Sequence, residues 1–534
     1  MSNQNQSWGI LPTQQDEDNT RAHAVRDPAG YHAGIAGREL HWFDGNTQSW
    51  ISQTDTGEWA GWHDRDASSA HADASWQPWS HPLDDSLAPY YRWFVDGQTN
   101  ACFNLIDRHV LSGRGDQIAI VFEGDRWDPS KNDGRGGPVH EQRVTYRELL
   151  VEVALRTRVL KQADLSCGDR VALNLPNVLE QIFYILACQR LGVIYTPVFG
   201  GFSAKTLSDR IHDAGAKVVI TADGGYRNAE VVPYKSTYTD PALDNYIPRP
   251  AALEALSATL RTRLSADVAE RLEAQVSDAI AGEITLERAD VMRELGLALE
   301  RERGTAPEVI AELRTTVASE LANVGHAVTH VIVIRYTGND IVEHTRDFWS
   351  PDLVAQVETD LLADAGVADR AALYALDDTA LWQAVGPHAA AVPVEANWPL
   401  FIIYTSGSTG KPKGVVHTHG GWLSGITHTL RTVFNANQDD CLYVIGDPGW
   451  ITGQSYLIAA PLAFGMSTMI AEGSPLFPHA GRFVSIIERN NVTIFKAGST
   501  FLKAVMTDPA STQEMSRYDM SSLKVGTFCA EPVS

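Results

Sequence analysis

Apolar residues recur every three or four positions in some stretches of this chain and crowd into short β-branched runs in others. After Val144, VTYRELLVEVALRTRVLKQ places Leu149, Val153 and Leu160 on one helical face, with Thr145 and Glu148 spaced as a capping box. A helix is predicted after Thr145. RVALNLPN then reads as a buried strand ending at Pro176, and LEQIFYILACQRLGV as an apolar-faced helix stopped at Gly192. IYTPVF and AKVVITA are two further strands separated by a helical stretch, Ala204 to Asp213. Strands and helices alternating through short loops predict parallel, doubly wound sheet, an α/β fold.

From about Pro248 to Gly325 the pattern becomes purely helical. Leu253, Leu256, Leu260 and Leu264, then Leu272, Val276 and Ile280, follow helical spacing. Thr305 to Glu308, with Pro307 inside it, predicts another capping box for the last helix of this set. HVIVIRY (His330 to Tyr336) returns to strand, and PLFIIYT is a strand that runs into a glycine-rich segment. The first hundred or so residues, rich in Trp, Asp, Gly and Ser, show little periodicity. The expected organisation is an irregular cap over 1–110, a first α/β subdomain over 111–247, a helical insert over 248–325, and a second α/β subdomain over 326–534. No internal repeat is present.

With 534 residues the chain can build several cores. Its 44% hydrophobic and 20% charged content is that of a globular protein, and no apolar run reaches the ~18 residues of a membrane span. The polar, acidic N-terminus lacks the pattern of a secretory signal. Five cysteines lie far apart without a CxxC pair, against a disulfide framework or thiolate zinc site. The expected location is cytoplasmic, without a membrane partner. A net charge of −23 disfavours nucleic acid as a partner, although a local basic loop can still hold a phosphorylated small molecule.

That loop is TSGSTGKPKG, Thr405 to Gly414. It packs three glycines, four hydroxyls and two lysines into ten residues directly after an apolar strand. Glycines let backbone N–H groups turn toward a ligand, the hydroxyls of Thr405, Ser406, Ser408 and Thr409 can donate to phosphate oxygens, and Lys411 and Lys413 bring charge. The expected ligand is a polyphosphate. A kinase-type P-loop, GxxxxGK[ST], is excluded: Gly407 stands too close to Gly410, and Pro412 follows Lys411 where a magnesium-binding hydroxyl is required.

Tyr404 to Gly414, YTSGSTGKPKG, is similar to the phosphate-binding signature of the adenylate-forming superfamily. Tyr90 to Val110, Val198 to Ile211, Val218 to Arg227, Gly446 to Gly465 and the terminal AEPVS resemble its acetyl-CoA synthetase branch. Together these stretches cover most of the chain outside the helical insert. The resemblance implies the doubly wound parallel sheets of the adenylate-forming N-terminal domain, with the insert added. It also implies an AMP-forming acyl-CoA synthetase that joins a short carboxylic acid (acetate, propionate or 3-hydroxypropionate) to AMP and then to coenzyme A, releasing pyrophosphate. ATP, Mg2+ and coenzyme A are the implied cofactors.

By this resemblance Thr405, Lys411 and Lys413 would serve catalysis, and Ser406, Gly407, Ser408, Thr409 and Gly410 would hold the β and γ phosphates. Ala530, Glu531 and Pro532 match the adenine-contacting GEP segment, with Ala for the usual Gly. Trp450, Ile451 and Thr452, with Cys529, match the acyl pocket, while Gln454 replaces a common His. Phe199, Gly200 and Gly201 match a segment near the CoA thiol, and Arg227 a basic contact to the CoA nucleotide. Glu230 stands where a second arginine is usual.

The 248–325 insert has no counterpart in ordinary acetyl-CoA synthetases and is similar to an insertion in the ligase portion of propionyl-CoA synthase, a fused enzyme. Fused or partner domains contacting it are therefore expected. The family's main Mg2+ ligand, ribose-binding Asp and small C-terminal domain would follow Ser534, so this polypeptide alone is expected to be inactive. The alternative is a non-catalytic scaffold binding nucleotide or a partner, against which the loop's intact lysines and hydroxyls count.

Overall fold

The computed structural model describes residues 13–63, 69–71, 76–302, 305–405, 412–507 and 509–530. Two mainly parallel sheets form its centre. One has seven strands in the order Asp347–Trp349, His330–Ile334, Val218–Ala222, Arg170–Asn174, Ile194–Pro197, Pro399–Thr405 and Lys413–Thr418, all parallel until the last, which pairs antiparallel. The other has six, in the order Glu141–Thr145, Ile118–Glu123, Ser467–Ala471, Cys441–Val444, Ile494–Gly498 and Val525–Cys529, antiparallel only at its first pair. This is the doubly wound α/β architecture that the alternating pattern predicts. Each sheet is assembled from distant stretches, so strands from 118–145 sit beside strands from 441–529.

The helix after Thr145 spans Tyr146–Gln162, and both halves of its capping box form: Thr145 accepts from the Glu148 N–H while Glu148 accepts from the Thr145 N–H at 2.7 Å. It packs against Leu179–Leu191, which ends at Gly192 in the left-handed conformation, φ +69°, that spares glycine a Cβ clash. Leu150, Val153, Ile182 and Leu186 of these two helices are fully buried in a core continuous with both sheets.

The N-terminal region is more regular than its composition predicts. Helices Gln14–Arg26 and Pro28–Glu39 precede a four-stranded antiparallel sheet of Trp42–Asp44, Ser49–Gln53, Trp59–His63 and Ser69–His71. These strands are three to five residues long, too short for an alternation to register. Aromatic packing joins the sheet to the core: the Trp50 ring stacks on Phe103 with centroids 4.0 Å apart.

Helices Arg249–Arg263, Ala266–Ala279, Arg288–Arg301 and Pro307–Ala322 enclose a separate core around Leu256, Leu260, Leu272, Val276, Leu295 and Val317. The capping box expected at Thr305 to Glu308 does not form. The last helix starts at Pro307, with Ala306 as an N-cap that offers no side-chain acceptor. Proline prefers the first helical position, and there it displaces Thr305 from the capping site by one residue. The four-helix unit docks on the helix Ala204–Ala214. Asp209 accepts from the Thr285 N–H at 2.9 Å and its hydroxyl at 2.6 Å, Lys205 pairs with Glu283 at 3.0 Å, and Ser208 bonds His326 at 3.0 Å. Among the described residues no helix is long and apolar enough to cross a membrane.

Candidate active site

Those predicted site residues that the structure describes fall on loops and strand ends near the carboxyl edges of the two sheets, where open α/β sheets hold ligands. Thr405 and Lys413 lie directly opposite each other at the mouth of the glycine-rich hairpin, and both are exposed. Ser406, Gly407, Ser408, Thr409, Gly410 and Lys411 lie outside the described residues, as do Glu531 and Pro532.

The hairpin is anchored one residue before Thr405. The Tyr404 hydroxyl donates to Asp213 at 2.7 Å, and the Arg210 guanidinium lies 5.4 Å from the Tyr404 ring centroid. Burial, and then the hydrogen bond to Asp213, pushes the Tyr404 phenol well above its usual range. The same guanidinium sits 4.2 Å over Phe202, and its burial lowers it to about 10. Arg210 thus links the glycine-rich hairpin to the Phe199–Phe202 loop without needing a carboxylate beneath it.

On the other side of that loop stands the Trp450 segment. Trp450 lies 6.1 Å from Phe199 and 5.8 Å from Phe202 by ring centroids, within the range of aromatic pairing, yet 47% of its surface stays exposed. It is a surface-facing ring and not ordinary core. The contact extends to the backbone, because a Cβ on Gly449 would fall 2.6 Å from both the N and Cα of Phe199. Ile451 is also exposed, and Thr452 is half-buried. The structure therefore brings Phe199 and Phe202 against Gly449 and Trp450 across roughly 250 residues of sequence.

Gln454 has a clear task in this arrangement. Its amide nitrogen donates to the Pro448 carbonyl at 2.6 Å, and its oxygen accepts from the Tyr195 hydroxyl at 2.8 Å. Tyr195 in turn accepts from Gln189 at 3.0 Å. A glutamine can donate and accept at once, so it fixes the Asp447 to Trp450 turn to a strand of the seven-stranded sheet.

Asp447 is the residue that sequence reasoning passed over, although it lies inside the GDPGWITG stretch. Burial raises its carboxyl to about 7, while the Gly449 N–H, donating to it at 2.7 Å, pulls the other way. Tyr234 is close enough for Asp447 to raise its phenol further, after burial. That tyrosine fills the gap between two glycines: a Cβ on Gly200 would meet the Tyr234 hydroxyl at 2.1 Å, and one on Gly225 the ring at 3.1 Å. Only glycine fits this close approach at position 200.

Gly225 begins the hairpin Gly225–Arg227 and Glu230–Val232, in which Glu230 stands in register opposite Arg227, both exposed. Glu472 ties this hairpin to the six-stranded sheet by accepting from the Tyr226 N–H at 2.7 Å, the Tyr336 hydroxyl at 2.7 Å and the Asp125 N–H at 3.1 Å. Cys529 ends the last strand of that sheet opposite Gly498, half-buried, with its sulfur 3.8 Å from the Ala497 carbonyl. Ala530 follows with φ +82°, a left-handed conformation in which the glycine it replaces would be unstrained.

The arrangement places a half-exposed tryptophan, a titratable carboxyl in the same turn and the two ends of the glycine-rich hairpin, Thr405 and Lys413, at the same edge of the sheets. Comparison with known proteins agrees in kind. The family model described as AMP-binding enzyme matches residues 108–534, and that described as acetyl-coenzyme A synthetase N-terminus matches residues 68–105. The chain is 33% identical over 470 residues to an acetyl-coenzyme A synthetase of Methylobacillus flagellatus, covering 88% of this chain and 53% of that protein. It is 33% identical over 459 residues to one of Thiobacillus denitrificans, and 31% identical over 462 residues to one of Cupriavidus metallidurans, each covering 86% of this chain and 52% of the relative. The chain spans about half the length of the curated relatives it matches.

Proposed function

Because the chain belongs to the AMP-binding enzyme family, we propose that its protein activates a short carboxylic acid with ATP, forming an acyl adenylate and then an acyl-CoA. In the first step the substrate carboxylate attacks the α-phosphate of ATP and pyrophosphate leaves. In the second the thiol of coenzyme A attacks the adenylate carbonyl and AMP leaves. Neither step uses a protein nucleophile, so catalysis rests on positioning and on neutralising phosphate charge. Thr405 to Lys413 supply hydroxyls, backbone N–H groups and the lysines Lys411 and Lys413 for the departing phosphates. Trp450, Ile451, Thr452 and Cys529 bound a pocket for a short acyl group such as acetyl, propionyl or 3-hydroxypropionyl. Phe199 to Gly201 and Arg227 serve coenzyme A, with Glu230 weakening the hold at the Arg227 end.

The observation that carries this reading is the meeting of the Trp450 segment with the Phe199 loop, which Arg210 links in turn to the phosphate hairpin. Acid-dependent exchange of labelled pyrophosphate into ATP by the full-length protein tests it. Exchange with a short acid is the expected result. Nucleotide binding without exchange for any short acid would replace this reading with a non-catalytic scaffold.

A further inference from the structure

The arginine beside the glycine-rich hairpin is buried with its N–H groups unmet. Arg210 shares the buried face of the helix Ala204–Ala214 with Leu207 and Ile211 and is 7% exposed. Its Nη1 has neither solvent access nor a hydrogen-bond partner, and among the described residues the guanidinium makes no hydrogen bond and no ion pair. Other buried arginines with an unmet nitrogen, such as Arg108 and Arg346, leave only Nε and pair a terminal nitrogen. Asp209, next in sequence, is taken up by Lys205 and Thr285, and Asp213 by the Tyr404 hydroxyl. Burial lowers Arg210 to about 10, so it keeps its charge at neutral pH.

Two rings hold this cation. Its Cζ lies 4.2 Å from the ring centroid of Phe202 and 5.4 Å from that of Tyr404. Rings occupy the faces of a guanidinium, whereas its five N–H groups point outward in its own plane. The faces are held and the edge is unspent. Cation–π contact offsets only part of the cost of taking a charge out of water, and each unmet N–H adds to that cost. Placement says what the edge can meet. Phe202 lies in the loop after Ile194–Pro197, and Tyr404 near the end of Pro399–Thr405, two neighbouring parallel strands. Both rings therefore stand at carboxyl ends, where open α/β sheets take their ligands. Tyr404 leads directly into Thr405, which faces Lys413 across the hairpin, both exposed. Two phosphate oxygens match an arginine edge, and a pair of parallel N–H···O bonds satisfies what folding leaves unmet.

We infer that Arg210 is a further catalytic residue, whose guanidinium edge binds oxygens of the polyphosphate at the hairpin and stabilises their charge as pyrophosphate leaves. This rests on the acid-activating reading above and adds a contact from outside the glycine-rich loop. The bond from the acid's carboxylate to the α-phosphorus forms as the bond from that phosphorus to pyrophosphate breaks, and Arg210 keeps its protons throughout.

The test uses the full-length protein, with Arg210→Met removing charge and donors and Arg210→Lys keeping the charge without the fork. Arg210→Met should weaken binding of inorganic pyrophosphate, read by calorimetry, by about 10- to 100-fold, the worth of hydrogen bonds to a charged group, and cut kcat/KM for ATP in pyrophosphate exchange by a similar factor. The KM for the acid should hold, and Arg210→Lys should recover part of the loss. Stability separates this role from a structural one. A cation kept unpaired for a ligand costs the free protein, so the denaturation midpoint of Arg210→Met should equal or exceed that of wild type. A lower midpoint with unchanged pyrophosphate binding would overturn the inference and leave Arg210 as a prop between two rings. A loss confined to the KM of the acid would also overturn it, by placing the guanidinium at the carboxylate. Should Arg210→Met not fold, pyrophosphate binding by Arg210→Lys decides, and wild-type affinity there counts against the inference. Wild-type protein that binds pyrophosphate but exchanges with no acid removes the underlying reading and the catalytic role with it, an outcome distinct from unchanged binding in the variants.

Discussion

Replacing Gly449 with alanine probes the joint between the Phe199 loop and the Trp450 segment. The added methyl would lie 2.6 Å from the backbone N and Cα of Phe199 and 2.9 Å from the Asp447 carboxylate. Carbon contacts are comfortable near 3.5–4.0 Å, so one backbone must retreat by roughly an ångström. Overpacking of this kind costs about 1–3 kcal/mol, and the entropy alanine removes from the unfolded chain returns only about 0.4–1. A net destabilisation of about 1–2 kcal/mol should appear in denaturant unfolding of this chain. Because the displacement falls on Trp450, acid-dependent exchange in the full-length protein should drop by up to about 100-fold. Gly425→Ala is the matched control. Gly425 sits inside the helix His419–Thr432 with nothing within 4 Å of an added methyl, so the same change should stabilise by about 0.5–1 kcal/mol. If Gly449→Ala matches wild type in both stability and exchange, the two segments do not meet as described.

Asp447 and Ala530 give two further tests. With its carboxyl raised to about 7, the fold favours the protonated form of Asp447, so its contribution to stability is full below about pH 4 and is lost as pH climbs through 7. Asp447→Asn should be more stable than wild type at pH 8 and lose that advantage by pH 4, read from denaturation midpoints across the range; parallel curves would contradict the raised carboxyl. Ala530→Gly should relieve the φ of +82° and raise stability by about 0.5–1 kcal/mol, net of the entropy glycine adds to the unfolded chain. A lowered midpoint would show that alanine is at ease there.

Features decided by neighbours in sequence were legible from the residues alone. The Thr145 box and the Gly192 stop are local chemistry, and the periodic strands and helices around them follow from side-chain spacing. The Thr305 box failed for a local reason too, since Pro307 claims the first helical position. The short aromatic strands before Phe103 escaped because three residues carry no period. What the sequence could not disclose is pairing between remote stretches. Asp447 is an unremarkable carboxyl until Phe199 and Tyr234 enclose its turn, and Gln454 is only a departure from a family pattern until Tyr195 reaches it.

The helical unit occupies a telling place in the connectivity. Strands Val218–Ala222 and His330–Ile334 are immediate parallel neighbours, so everything between them is one crossover, stretched to roughly a hundred residues where a dozen or so suffice. Closure entropy grows only logarithmically, and three doublings of length cost about 2 kcal/mol. With a core of its own to offset its ordering, such a passenger can be gained, lost or exchanged during evolution without shifting the register of a single central strand. Its four helices can therefore change while every neighbour relation in the sheet beneath stays as it is.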